Sequence, residues 1–221
     1  MNKLVLFDFD GTLADTAPDL GAAVNLMRER RGLPGLPLES YRSSASHGAR
    51  GLLKAGLGMD PGHPEYETAR DEFLTEYEQG MTERTTLFPG IKELLVELRE
   101  NGYTWGIVTN KVEYLAVPLV VHLGLYRHCA ITVGGDTTPH PKPHPAPLLH
   151  AAEKTGFAPQ NAIYIGDDQR DIVAGQAAGM ATVVAAYGYC GADTALHTWE
   201  ATAIAQQPHN LWNVIEAWAR G

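Results

Sequence analysis

Asp8 and Asp10 stand two residues apart at the end of an apolar run, just before Gly11-Thr12. In an extended chain, residues i and i+2 point to the same side, so both carboxylates share one edge. Two acids there repel each other and raise one pKa unless a cation lies between them. The pair therefore implies a divalent metal, and Gly11 permits the sharp turn that follows. Three further polar groups occur later: Thr109-Asn110, Lys142 between Pro141 and Pro143, and Asp167-Asp168 with Asp171. Gathered in one crevice, they form a set suited to phosphoryl transfer, which needs positioning and charge neutralisation. Asp8 is expected to attack phosphorus as a nucleophile. Asp10 would protonate the leaving alcohol and then deprotonate the attacking water. A hard cation such as Mg²⁺ suits carboxylates and phosphate, with Asp167 closing its site. Thr109 and backbone N–H groups would take phosphate oxygens, and Lys142 would add a fixed charge.

Each group has a plainer reading by itself. Thr109-Asn110 is an ordinary strand end with a helix cap. Lys142 is a solvated loop lysine, stiffened by its flanking prolines. Asp167-Asp168 with Asp171 are an N-cap and first-turn acids, favoured by the helix dipole. Their joint order on successive strand ends favours the catalytic reading.

The elements that must position these groups alternate. Leu4–Phe7 reads as a strand buried on both faces. Further strands are expected at Trp105–Val108, Ala130–Val133, Ala162–Ile165 and Ala181–Ala185. Helices are expected at 91–98, Glu113–Leu123, Ala146–Thr155, Asp171–Ala178 and Leu211–Ala219. The alternation implies an α/β fold with a doubly wound, mainly parallel, Rossmann-like sheet, whose sites lie at the carboxyl edge. Between Leu13 and Leu87 only helical patterns occur: one from the Asp15-Thr16 cap to near Gly32, then Leu38–Leu57 and Glu65–Gln79. The expected division is an α/β core of 1–14 and 86–221 with an all-helical insertion of 15–85. The insertion far exceeds what a strand crossover requires. Its second region is interrupted by Ser46-His47-Gly48-Ala49-Arg50-Gly51. A polar, glycine-bearing break lets backbone approach a ligand, so His47 and Arg50 are expected to face the leaving group. The stretch Asp193–Asn210 carries no readable pattern.

The 221 residues carry 17 basic and 26 acidic side chains, a net charge of −9, without a basic run. That balance argues against nucleic acid and anionic membrane partners. An anionic substrate would have to be held by a metal, a lysine or helix N-termini. Cys129 and Cys190 lack CxxC spacing and suit a reducing cytoplasm. No signal-peptide layout or membrane span is legible. His140, His144 and His150 lack ligand spacing for a metal centre.

Asp8-Phe9-Asp10-Gly11-Thr12, Val108-Thr109-Asn110, Lys142-Pro143 and Gly166-Asp167-Asp168 with Asp171 resemble the four motifs of haloacid dehalogenase superfamily phosphatases. The resemblance covers the whole chain and likens the helical insertion to a cap. It implies Asp8 as nucleophile and Asp10 as acid/base. It also implies Mg²⁺ on Asp8, the Asp10 carbonyl and Asp167, with Thr109 and Lys142 on phosphate. Gly11, Thr12 and Asn110 fall in the same motifs and are expected on the substrate. Gly134-Gly135-Asp136, Lys142 through Leu148 and Tyr187-Gly188-Tyr189 resemble phosphoglycolate phosphatases. Arg50, Arg31-Gly32-Leu33-Pro34 and Gly166-Asp167-Asp168-Gln169-Arg170-Asp171 are closer to N-acetylmuramic acid 6-phosphate phosphatases. A phosphomutase shares the intermediate, and a phosphorelay receiver or a catalytically dead binding module shares the acids. The acid two residues after the nucleophile and the helical insertion argue against the receiver.

Overall fold

The computed structural model describes residues 3–190 and 194–221. Its contacts separate two units: one runs to Ala14 and resumes at Leu87, the other is Asp15–Thr86. Both crossings between them are two-residue strands, Ala14–Asp15 and Thr86–Leu87. The sequence pattern shows no strand there, because two residues are too few to display a period.

The first unit holds a six-stranded, all-parallel sheet. Its strands are β1 (Leu4–Phe7), β2 (Thr104–Val108), β3 (Thr132–Val133), β4 (Ala162–Gly166), β5 (Ala181–Ala185) and β6 (Ala203–Ala205), in the order β3-β2-β1-β4-β5-β6. All four β1 residues are fully buried, as expected of a central strand covered on both faces. Register pairs Phe7 with Ile107 on one side and Ile165 on the other. The three strands therefore give out together, and the polar residues after Phe7, Val108 and Gly166 emerge side by side. That shared level places the site.

The short strand β6 lies within the stretch that the sequence left unread; Asp193, its first residue, lies outside the described residues. Its three residues were illegible because neighbouring strand β5 supplies the ordering, with Val183 level with Ala203. β3 is shorter than expected, covering Thr132–Val133.

The second unit contains α1 (Ala17–Arg30), α2 (Arg42–Ala45), α3 (Gly48–Leu57) and α4 (Tyr66–Gly80). Val24, Met27, Tyr41, Leu52, Leu53, Phe73 and Tyr77 form its apolar interior. The break after α2 is shorter than the polar stretch suggested: the helix resumes at Gly48 and includes Arg50 and Gly51. A Cβ on Gly51 would sit 2.6 Å from the Ser44 carbonyl and the His47 Cβ, so the missing side chain permits the tight return. Asp19, in the first turn of α1, is buried, and its Oδ2 accepts from the Arg84 and Thr85 amides and the Thr85 hydroxyl.

The remaining helices belong to the first unit: α5 (Ile91–Glu100), α6 (Glu113–His122), α7 (Ala146–Thr155), α8 (Gln169–Ala177) and α9 (Leu211–Arg220). Among the described residues no helix is long and apolar enough to cross a membrane.

Candidate active site

The carboxyl ends of β1, β2 and β4 bring Asp8, Thr109 and Asp167 together, each at most 8% exposed. Single ligand oxygens of Asp8, Asp167 and Asp171 lie within 4.8 Å of one another. Lys142 enters from its loop and is itself 3% exposed. Its Nζ sits 2.9 Å from Asp8 Oδ1 and 2.7 Å from Asp171 Oδ1, and donates to the Tyr164 hydroxyl and the Val108 carbonyl.

Three buried acids against one buried ammonium leave excess negative charge. Burial pushes the Asp8 carboxyl up to about 7 despite Lys142, with the Asp171 charge adding to the rise. Burial also holds Asp167 well above the carboxylate range, reinforced by Asp8 and Asp171. Lys142 is burdened by burial, yet Asp171 and Asp8 outweigh this and raise its pKa. A set of close, buried, oxygen-only donors with unbalanced charge fits a hard divalent cation. Asp8 and Asp167 could hold it; Asp171 is committed to Lys142 and to the start of α8.

That start is set by a reciprocal cap. Asp168 accepts from the Arg170 amide, while its own amide donates to Asp171 Oδ2 at 3.0 Å. The Asp168 carboxylate also receives Arg170 Nε at 2.8 Å, and Nη2 reaches its second oxygen. Asp168 and Asp171 thus stand behind Asp167 as helix-start acids.

Asp167 is enclosed by loops. Thr12 Oγ1 donates to one oxygen at 3.0 Å and the Tyr189 amide to the other at 2.8 Å. A Cβ on Gly188 would collide with the Gly11 carbonyl and the Asp167 side chain, so glycine there lets the 187–189 loop close down. Gly11, at φ +80°, turns against the same carboxylate.

Asn110, expected on the substrate, hydrogen-bonds the lysine loop. Its Nδ2 donates to the Lys142 carbonyl and its Oδ1 accepts from the Lys142 amide, both at 2.9 Å. The amide is therefore used to seat the lysine loop. Thr109 Oγ1 accepts from the Lys111 amide, which leaves its hydroxyl proton for another acceptor. Asp10 lies outside the group of three acids; its Oδ1 is 3.1 Å from Lys111 Nζ.

Lys111, whose side chain is only 7% exposed, was missed by sequence reasoning. Its place immediately after Thr109-Asn110 was the available signal. Tyr164 was missed too, since a polar tip on a buried strand gives no spacing cue. His47 and Arg50 belong to the helical unit, where both are exposed beside the start of α3.

The profile for haloacid dehalogenase-like hydrolases matches residues 5–185. The chain belongs to the haloacid dehalogenase-like hydrolase family. Within this family it is 44% identical over 211 residues to a phosphoglycolate phosphatase of Xanthomonas campestris pv. campestris (strain 8004), covering 95% of each chain. It is 38% identical over 214 residues to an N-acetylmuramic acid 6-phosphate phosphatase of Pseudomonas aeruginosa, covering 97% of this chain and 95% of the other. The crystal structure of a predicted phosphoglycolate phosphatase from Haemophilus somnus 129PT superposes with a TM-score of 0.84 at 27% identity, covering 97% and 98%.

Proposed function

We propose that this hydrolase cleaves a small phosphate monoester in two displacements at Asp8. The observation that carries the proposal is the asymmetry of that carboxylate. The Phe9 amide donates to Oδ1 at 2.7 Å and Lys142 pairs with the same oxygen. Oδ2 accepts no hydrogen bond among the described residues. One oxygen is pinned, and the other is left to attack.

In the first displacement Asp8 Oδ2 bonds to phosphorus and the ester P–O bond breaks. Asp10 gives its proton to the departing alkoxide oxygen. In the second, Asp10 takes a proton from water, which attacks phosphorus and releases inorganic phosphate and the Asp8 carboxylate. Lys111 orients Asp10 through the 3.1 Å pair. The Thr109 hydroxyl donates to a phosphoryl oxygen, as do backbone N–H groups near Gly11 and Thr12. Lys142 fixes Asp8 while offsetting its charge. Asp8 and Asp167, with the Asp10 carbonyl, would hold Mg²⁺, which would neutralise charge on the phosphoryl oxygens. The helical unit acts as a cap, with His47 and Arg50 directed to the leaving group. Closure would exclude stray water from the acyl phosphate.

The favoured substrate is 2-phosphoglycolate, on the strength of the Xanthomonas relative. N-acetylmuramic acid 6-phosphate is the second reading. It rests on the Pseudomonas relative and on the forked Asp168–Arg170 pair beside the nucleophile strand. Comparing kcat/KM for the two esters with Mg²⁺ decides between them. Failure to release phosphate from either, or from p-nitrophenyl phosphate, would refute the hydrolytic reading. Isomerised sugar phosphate without free phosphate would make the chain a mutase.

A further inference from the structure

We propose that the α/β unit carries a second ligand site, a cleft for a small amphiphilic anion against the start of β2. The cleft has a volume of about 300 Å³, at the lower end of small-ligand sites. Its apolar part is Leu87, Leu95, Val96, Trp105, Leu123 and Leu125. Among the described residues its only charged or titratable lining groups are Lys92, Arg99 and His128, and no acid lines it. In a chain of net charge −9 such a lining is against the background.

The arrangement follows from helical spacing. Lys92, Leu95, Val96 and Arg99 fall at i, i+3, i+4 and i+7, one face of α5. The acids of that helix, Glu93, Glu97 and Glu100, do not line the cleft. Across it, Arg99 Nη1 donates to His128 Nε2 at 3.2 Å. Arg99 also approaches Glu100, but at 4.0 Å, beyond hydrogen-bond range. Among the described residues Lys92 forms no ion pair.

The floor is Trp105, 3% exposed, the second residue of β2. Thr109 is four residues further along, about 13 Å at 3.3 Å per residue. None of the lining residues belongs to the carboxylate crevice, so this is a separate place. The complementary ligand has an acyl or aryl body to cover Leu95, Val96 and Trp105. It has one carboxylate, sulfonate or phosphate head to meet Arg99 and Lys92.

Sodium octanoate tests this by calorimetric titration of the full chain, with octanamide as the uncharged control. The Trp105 indole N–H resonance, assigned with Trp105→Phe, locates the site. Octanoate is expected to saturate one site and shift that resonance. Octanamide should bind about tenfold more weakly, the loss of a charge-assisted hydrogen bond. Arg99→Ala should weaken octanoate by a similar factor, and Arg99→Lys should restore most of the loss. Absence of saturable binding, equal binding of the amide, or an unmoved Trp105 signal overturns the proposal. So does self-association in sedimentation that Val96→Asp abolishes, which would assign the cleft to a second copy of the chain.

Discussion

Two regions share strand β2 and have opposite electrostatics. Past its end, Thr109 and Lys111 adjoin a crevice of buried acids held by one lysine. At its start, Trp105 floors a cleft whose charged lining, among the described residues, is basic. The first is costly to build, since buried like charges raise each other's pKa and require an external cation or bound phosphate chemistry to settle them. The second leaves its charges at a wet rim, where they cost little and contribute little to stability. The first arrangement needs a bound ligand to settle its charge, and the second offers exposed charge around an apolar floor.

The contrast is broken most severely at Asp8. Asp8→Asn should lower phosphate release by roughly 10⁴-fold or more, the scale of losing a nucleophile. Ordinary turnover in that variant, measured as phosphate released, would abolish the catalytic half of the comparison. Lys142→Met leaves Asp8 and Asp171 as unpaired buried acids. It should cost about 3–5 kcal/mol of stability, read by denaturant melts, because breaking one side of a buried pair strands the other.

The effect of pH sharpens the same point. Burial raises the Asp8 carboxyl to about 7 from its ordinary value of 3.8, and burial beside Asp8 and Asp171 raises Asp167 as well. Between these values the folded state binds protons that the unfolded chain has released. Without a divalent ion, stability should therefore be fullest below about pH 4 and fall as pH rises toward 7 and above. Mg²⁺ should raise Tm more at pH 8 than at pH 5, since ligands must be deprotonated to bind it. At a hundred times its Kd the gain is about 2.7 kcal/mol. An equal shift at both pH values would show that these acids are not the ligands.

A smaller effect is expected from Asn110→Ala, which deletes two hydrogen bonds to the Lys142 backbone. A loss of about 1–3 kcal/mol in stability is expected. Steady-state kinetics should show kcat falling more than KM rises, as expected of a residue that seats the lysine loop. Smallest of all, Arg99→Ala should leave phosphatase turnover within about twofold, as exposed substitutions do, while octanoate binding weakens about tenfold.

The fold was legible where a segment is governed by its own residues. β1 is an unbroken apolar run, and α7 and β5 span the residues that their patterns indicate. β6 and the paired crossings escaped because two or three residues acquire strand geometry from a neighbour. The type and strand-end place of Asn110 fit a ligand-binding role and a loop-seating role alike, and the sequence does not show the second. Its partner, Lys142, lies 32 positions away.

The sequence by itself determined the chemical inventory: the paired acids before a glycine turn, the lysine between prolines, and the acids opening α8. Each of these is a local pattern, set by where a strand stops and what the chain must do next. Only the tertiary structure decided how the inventory is shared out. Strand register makes Asp8, Thr109 and Asp167 emerge at one level. Folding brings Thr12 to Asp167, 155 positions away, and gives Lys111 to Asp10. It also joins one face of α5 to Trp105 and His128. Contacts between distant residues depend on crossovers and packing, and no periodicity within a segment encodes them.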